Sequence, residues 1–132
     1  MKPLRQRLVK HLDRVVSEYV RRSNEQNGLV QCYTCPTKLP YKEIHCGHYV
    51  KRSNMATRWD LRNLRPQCYR CNISLSGNGS SFYRNLVDKE RQEYVDGIFA
   101  DKKRGTKENL AFYQEKILHY QQKLLDLQKT EA

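Results

Sequence analysis

Apolar side chains recur at steps of three and four residues in two long stretches, one at each end of the chain. Leu4, Leu8, Leu12, Val15, Val16, Tyr19 and Val20 share one face of a helix predicted over residues 4–23, with Arg5, Arg7, Lys10, Arg14 and Arg21 on its other faces. Pro3 suits a first turn, and Ser23-Asn-Glu-Gln-Asn-Gly28 ends the periodicity with breaker residues. At the other end Leu110, Tyr113, Ile117, Tyr120, Leu124 and Leu127 form an a/d seam, which predicts a helix over about 107–129. Thr106 is its expected N-cap, with Glu108 in the first turn. Such a seam packs on the N-terminal helix, as one hairpin within the chain or exchanged between two copies; the homodimer is the expectation carried forward.

Between these helices the pattern is shorter. Leu29–Cys32 reads as a strand, Pro36 and Pro40 keep the next segment irregular, and Ile44–Val50 reads as one arm of a β-hairpin. Residues 51–65 show no clean period and predict a long loop held down by Trp59, Leu61 and Leu64. A helix is expected to start close to Cys68 and to carry Asn72 on its first turns, until Ser76-Gly-Asn-Gly-Ser80 interrupts it. Two short amphipathic helices follow, over 81–89 and 91–100, with Phe82, Leu86, Val87, Tyr94, Ile98 and Phe99 as their core and a loop after them at 102–105.

The cysteines change this picture. Cys32-Tyr-Thr-Cys35 and Cys68-Tyr-Arg-Cys71 are two CxxC knuckles with 32 residues between them, a spacing that delivers four thiolates to one tetrahedral Zn²⁺. Two disulfides, or a redox motif, are the competing reading; strong basicity, no signal-peptide pattern and the doubled knuckle favour structural zinc. Cys46 is left over and is expected as a small buried residue facing away from His45 and Gly47. A zinc clasp draws His45, His48 and Asn72 together, although 24 residues separate His48 from Asn72.

Composition sets the partner. The chain has 132 residues, 38% apolar and 30% charged, so the core is thin and a metal staple helps it. The net charge is +11, and the excess is uneven. Residues 1–22 hold seven Lys/Arg against two acids and residues 38–70 hold eight against two, whereas from Thr106 onward the balance is four against four. Cationic surface gathered on a Cys/His module is the footprint of a polyanion, which makes nucleic acid the expected partner. No apolar run reaches the roughly 20 residues of a membrane span, and an intracellular, cytoplasmic setting is expected. The expected organisation is an N-terminal basic helix (1–28), a zinc-clasped module (29–80) and a helical C-terminal region (81–132).

Phosphodiester hydrolysis needs an activated water and a cation that neutralises the phosphate. A neutral imidazole suits the first task, and the Asn72 amide oxygen suits a hard cation such as Mg²⁺. His48 on a hairpin, Asn63 in the following loop and Asn72 on the next helix resemble the HNH (ββα-metal) nuclease pattern in its zinc-clasped form, as in junction resolvases of the T4 endonuclease VII type. Cys-x-x-Cys, Gly47-His48-Tyr49, Arg58-Trp59-Asp-Leu-Arg62-Asn63, Gln67-Cys-x-x-Cys-Asn72, Ser76-Gly-Asn78, Tyr83-Arg84 and the ending from Tyr120 to Leu127 are similar to the NinG/Rap family of lambdoid phages. The similarity covers roughly residues 12–129, and members of that family can carry an additional N-terminal region.

That resemblance implies an α+β fold, with a treble-clef or ββα-metal core flanked by helices. It also implies a phage-encoded, structure-selective endonuclease acting on Holliday junctions and D-loops in the host cytoplasm. Carried over, His48 is the general base, Asn63 holds the loop that orients it, and Asn72 ligates a catalytic Mg²⁺ or Mn²⁺. The family's usual carboxylate ligand is replaced: Gly47 precedes His48, and His45 stands where related sequences have Asp. An imidazole at that position shifts the preference towards Mn²⁺, Zn²⁺ or Co²⁺. Asp60 is the fallback ligand, and His45 is otherwise structural or an exchangeable zinc ligand. Lys51, Arg52, Arg58, Arg62 and Arg65 are the expected phosphate contacts. Two other classes remain open, a zinc module that grips DNA without cutting it and a small interaction protein working through the C-terminal seam.

Overall fold

The computed structural model describes residues 3–105 and 108–131, which divide into two compact units. The first contains α1 (Leu4–Ser23) as far as Tyr19, together with α4 (Leu110–Glu131). The seam residues Tyr113, Ile117 and Tyr120 are buried, as are Leu12, Val15 and Val16 on α1. Tyr19 packs on Tyr120 at 5.9 Å between ring centroids, and Arg5 lies over the Tyr113 ring at 6.0 Å. These contacts run in the same order along both helices, so within one chain they pair in parallel sense rather than as a hairpin. The cap also differs from expectation. Thr106 lies outside the described residues, Glu108 precedes the helix, and the Asn109 side chain accepts from the Phe112 N–H at 2.9 Å.

The second unit runs from Val20 to the last described residues before 106. Asn27 and Gly28, both at positive φ (54° and 80°), make a two-residue turn between β1 (Glu25–Gln26) and β2 (Leu29–Gln31). Asn-Gly is the pair that a primed hairpin turn favours; the breaker segment therefore ends the helix and also starts a sheet. β3 (Lys38–Leu39) completes that three-stranded sheet.

A second ribbon pairs β4 (His45–His48) antiparallel to β5 (Leu64–Gln67), with His45 opposite Gln67 and His48 opposite Leu64. β5 lies at the end of the stretch read as loop. Arg65 and Pro66 hide its alternation, and only pairing with β4 makes it a strand. Leu61–Asn63 forms a 3₁₀ turn capped by the Asp60 carboxylate, which accepts from the Arg62 N–H at 3.0 Å. After Cys68 the expected helix closes as a single π-type turn, Arg70–Ser74, and Ser76, Gly77 and Asn78 at positive φ end it. α2 (Gly79–Glu90) and α3 (Gln92–Lys102) follow.

Two cores hold this unit. Val30 and Ile44 pack around Cys32, Cys68 and Cys71, with Leu39 and Tyr41 at the edge. Val50, Phe82, Leu86, Val95 and Ile98 form the other, flanked by Tyr33, Tyr49, Val87 and Tyr94. No described helix is long and apolar enough to cross a membrane.

Candidate functional site

The first knuckle is closed by the Cys32 N–H on the Thr37 carbonyl at 2.8 Å, and the Tyr33 N–H reaches the Pro66 carbonyl at 2.8 Å. These bonds bring residues distant in sequence to one point. The sulfurs of Cys32, Cys35, Cys68 and Cys71 all lie within 4.8 Å of one another. A tetrahedral ion with sulfurs at about 2.3 Å needs them about 3.8 Å apart, so the donor set and its spacing fit zinc. Among the described residues it is the one cluster of three or more Cys, His, Asp or Glu groups placed to hold a metal.

Two of the thiols are shifted in opposite directions. Burial pushes the Cys35 thiol up, but its hydrogen bonds with Thr37, Cys32 and Cys68 outweigh this and bring it down to about 6. Burial and the neighbouring sulfurs push Cys68 up to about 12, against a backbone N–H of Cys71. Zn²⁺, when bound, would favour the thiolate form at all four sulfurs. Thr34 (3.5 Å from Cys32 Sγ), Thr37 (3.3 Å from Cys35 Sγ) and Asn78 (3.6 Å from Cys71 Sγ) bond to the sulfurs from outside. The spacing of the cysteines gave no notice of these three, although two of them sit within two residues of a knuckle.

Cys46 is half-buried rather than buried. The ladder places it on the face opposite Gly47. Gly47 is required by its surroundings: a Cβ there would lie 1.9 Å from Gln67 Oε1. Gln67 is fully buried, and its amide N–H groups donate to the Thr34 hydroxyl at 3.0 Å and to the Gly77 carbonyl at 2.8 Å. That side chain thereby joins the ribbon, the first knuckle and the turn after the second.

The two histidines stand at opposite ends of β4. His45 meets Asn72, the amide nitrogen lying 3.1 Å from His45 Nδ1, and the Tyr69 ring meets the imidazole edge-on at 5.9 Å. About 10 Å further along the extended strand, His48 Nε2 lies 3.0 Å from the Arg58 carbonyl. A carbonyl only accepts, so Nε2 carries the proton, and a neutral ring then has its lone pair on Nδ1.

Asn63, fully buried, holds that carbonyl's loop in place. Its Oδ1 accepts from the Val50 N–H at 2.6 Å, and its Nδ2 donates to the Val50 carbonyl at 3.0 Å and the Thr57 carbonyl at 3.2 Å. Asp60 is engaged by Arg62, which donates to it from Nε at 3.1 Å and from its terminal nitrogen at 2.5 Å, and which also pairs with Asp101.

The basic residues divide in two groups. Lys51 and Arg52 are exposed, and Arg58 is half-exposed over the Trp59 ring at 5.5 Å. Arg62 is committed to its two carboxylates. Arg65 lies over the rings of Tyr33 and Tyr94 at 5.2 and 5.8 Å and donates to the carbonyls of Leu61 and Leu64 at 3.0 and 2.8 Å. These two arginines hold the loop and α3 in place.

Comparison with known proteins places the chain in a family. The family profile described as Bacteriophage Lambda NinG protein matches residues 1–131. Protein ninG of Escherichia phage 933W is 32% identical over 129 residues, 94% of this chain and 60% of its own length. The corresponding proteins of Salmonella phage P22 and Escherichia phage lambda are 33% identical over 130 residues and 31% over 129, again across 94% of this chain and 59% of theirs. The chain thus spans about 60% of the length of these curated relatives. No solved structure matches. On the whole-chain profile match and these identities, the chain belongs to the NinG family.

Proposed function

We propose that this chain is a metal-dependent DNA endonuclease that cuts branched recombination intermediates such as Holliday junctions and D-loops. The observation that carries the reading is the relay Asn63–loop–Arg58–His48. A buried amide fixes the loop, the loop's carbonyl at 3.0 Å fixes the imidazole tautomer, and Nδ1 becomes the basic nitrogen. In the reaction a water loses its proton to His48 Nδ1 and attacks phosphorus, and the P–O bond to the leaving sugar oxygen breaks. His45 Nδ1 and the Asn72 amide oxygen are the pair that would hold the catalytic cation, Mg²⁺ or Mn²⁺, once the Asn72 amide turns its oxygen towards the ring. Held about 10 Å along β4 from His48, such a cation, when bound, would neutralise a neighbouring phosphate of the bound backbone, and the leaving sugar oxygen takes its proton from solvent water. Lys51, Arg52 and Arg58 receive the DNA backbone. Paired cuts across a four-way junction require two such sites, which a homodimer supplies.

A second reading, a zinc module that binds DNA without cutting, is favoured by one observation: Asp60, the fallback carboxylate ligand, is held by Arg62. A nicking assay on supercoiled plasmid with and without Mg²⁺ or Mn²⁺ separates the two. His48→Ala should lose cleavage by about 10²–10⁴-fold while still binding branched DNA. Undiminished cutting by that variant removes His48 as base, and no cutting by the wild type with any divalent ion leaves the binding module.

A further inference from the structure

Within the second unit, a cleft of about 460 Å³ opens between the loop after β4 and the end of α3. That volume lies within the roughly 300–1,000 Å³ of small-molecule sites. Its walls are Tyr49 and Phe99, with Lys51 and Lys102 beside them and Ser53 and Asn54 in the loop. Tyr49 is propped on the core ring of Phe82 at 5.3 Å, and Phe99 meets Tyr49 edge-on at 5.7 Å while staying 39% exposed. The Asn54 amide donates to the Lys102 carbonyl at 3.0 Å, which braces the loop against α3. Its oxygen accepts from the N–H and hydroxyl of Thr57, at 3.2 and 3.0 Å. The aromatic wall is therefore supported from behind, with the Lys102 ammonium over the Phe99 ring at 5.9 Å and Lys51 in the same lining.

An exposed ring on a rigid backing, flanked by lysines, suits a flat π-system that carries a phosphate. In duplex DNA the base faces are stacked and out of reach, so such a cleft accepts only a nucleotide that has left the stack. We propose that the Tyr49–Phe99 cleft binds one unpaired nucleotide of branched DNA, its base against Phe99 and its phosphate between Lys51 and Lys102. The proposal rests on the DNA reading above and names how a branch is told from continuous duplex. Tyr49 directly follows His48, so the cleft begins one residue along the strand from the imidazole.

The test compares binding of two DNAs to the full zinc-loaded chain without added divalent cation: a blunt duplex, and the same duplex interrupted by three unpaired nucleotides. The wild type should prefer the interrupted DNA. Phe99→Ala should weaken that complex by about 5- to 150-fold, the range for loss of one stacked base, and leave duplex binding unchanged. Phe99→Trp should restore the preference, which an unfolded variant could not do. Equal weakening on both DNAs, or no change on either, overturns this site alone. Absence of wild-type binding to both DNAs overturns the DNA reading and this site together.

Discussion

Asn63 holds Val50 at both ends, its Oδ1 on the Val50 N–H at 2.6 Å and its Nδ2 on the Val50 carbonyl at 3.0 Å. A third bond, to the Thr57 carbonyl at 3.2 Å, makes one side chain a buried three-point clamp on the loop. Asn63→Ala leaves those groups without their partners, at about 1 kcal/mol or more each. A loss of about 3 kcal/mol is expected in urea unfolding. Asn63→Asp keeps the acceptor but loses both donors, so it too should fall below the wild type. An unchanged midpoint for Asn63→Ala would show that the clamp does not hold the loop.

Gly47 and Gln67 should behave as a pair. Gly47→Ala forces the buried Gln67 out of its bonds to Thr34 and Gly77, with a destabilisation of about 1–3 kcal/mol expected for overpacking. Adding Gln67→Ala should make Gly47→Ala nearly harmless in that background. A double-mutant cycle with no coupling would contradict the clash.

Zinc should be stoichiometric, at one ion per chain. Cys32→Ser or Cys71→Ser, both at buried ligands, should abolish zinc retention and unfold the second unit. Uptake displaces thiol protons, so affinity should fall as pH falls. Metal analysis well below one zinc per purified chain would refute the site.

The Arg62–Asp101 pair should be visible in acid. The hydrogen bond from Arg62 holds the Asp101 carboxyl below the ordinary carboxylate range, with Arg104 assisting and burial opposing. A carboxylate with a lowered folded-state pKa contributes stability above its unfolded value, and that contribution is lost as pH falls through the lowered one. The wild type should therefore melt above Asp101→Asn at neutral pH, and the gap should close below about pH 4. Parallel melting curves from pH 7 to 3 would exclude the linkage.

Binding to DNA should respond to salt through the exposed lysine and arginine of the loop. Lys51→Ala and Arg52→Ala should each lower the slope of log K against log[salt] by about 1. Arg65→Ala should lower stability, since its guanidinium spans two carbonyls and two rings. A salt-independent binding constant would remove the phosphate reading.

The chemistry carried by spacing was legible directly. Two knuckles with two residues between cysteines must present their sulfurs together, and apolar residues at three- and four-residue steps must form helices with one buried stripe. The four-cysteine cluster, α1 and most of α4 follow from these local rules, as do α2, α3 and the break between Ser76 and Ser80. Tertiary structure decided what depends on partners remote in sequence. β5 exists because β4 lies beside it. Arg62 and Arg65 read as phosphate contacts until Asp101 and Tyr94, from α3, claim them. Asn72 is drawn to His45, and His48 to the Arg58 carbonyl. Charge and periodicity are properties of a residue and its near neighbours along the chain. Whether a polar group faces DNA, a metal or another side chain is set by which distant segment folding brings against it, and that is decided only when the whole unit closes.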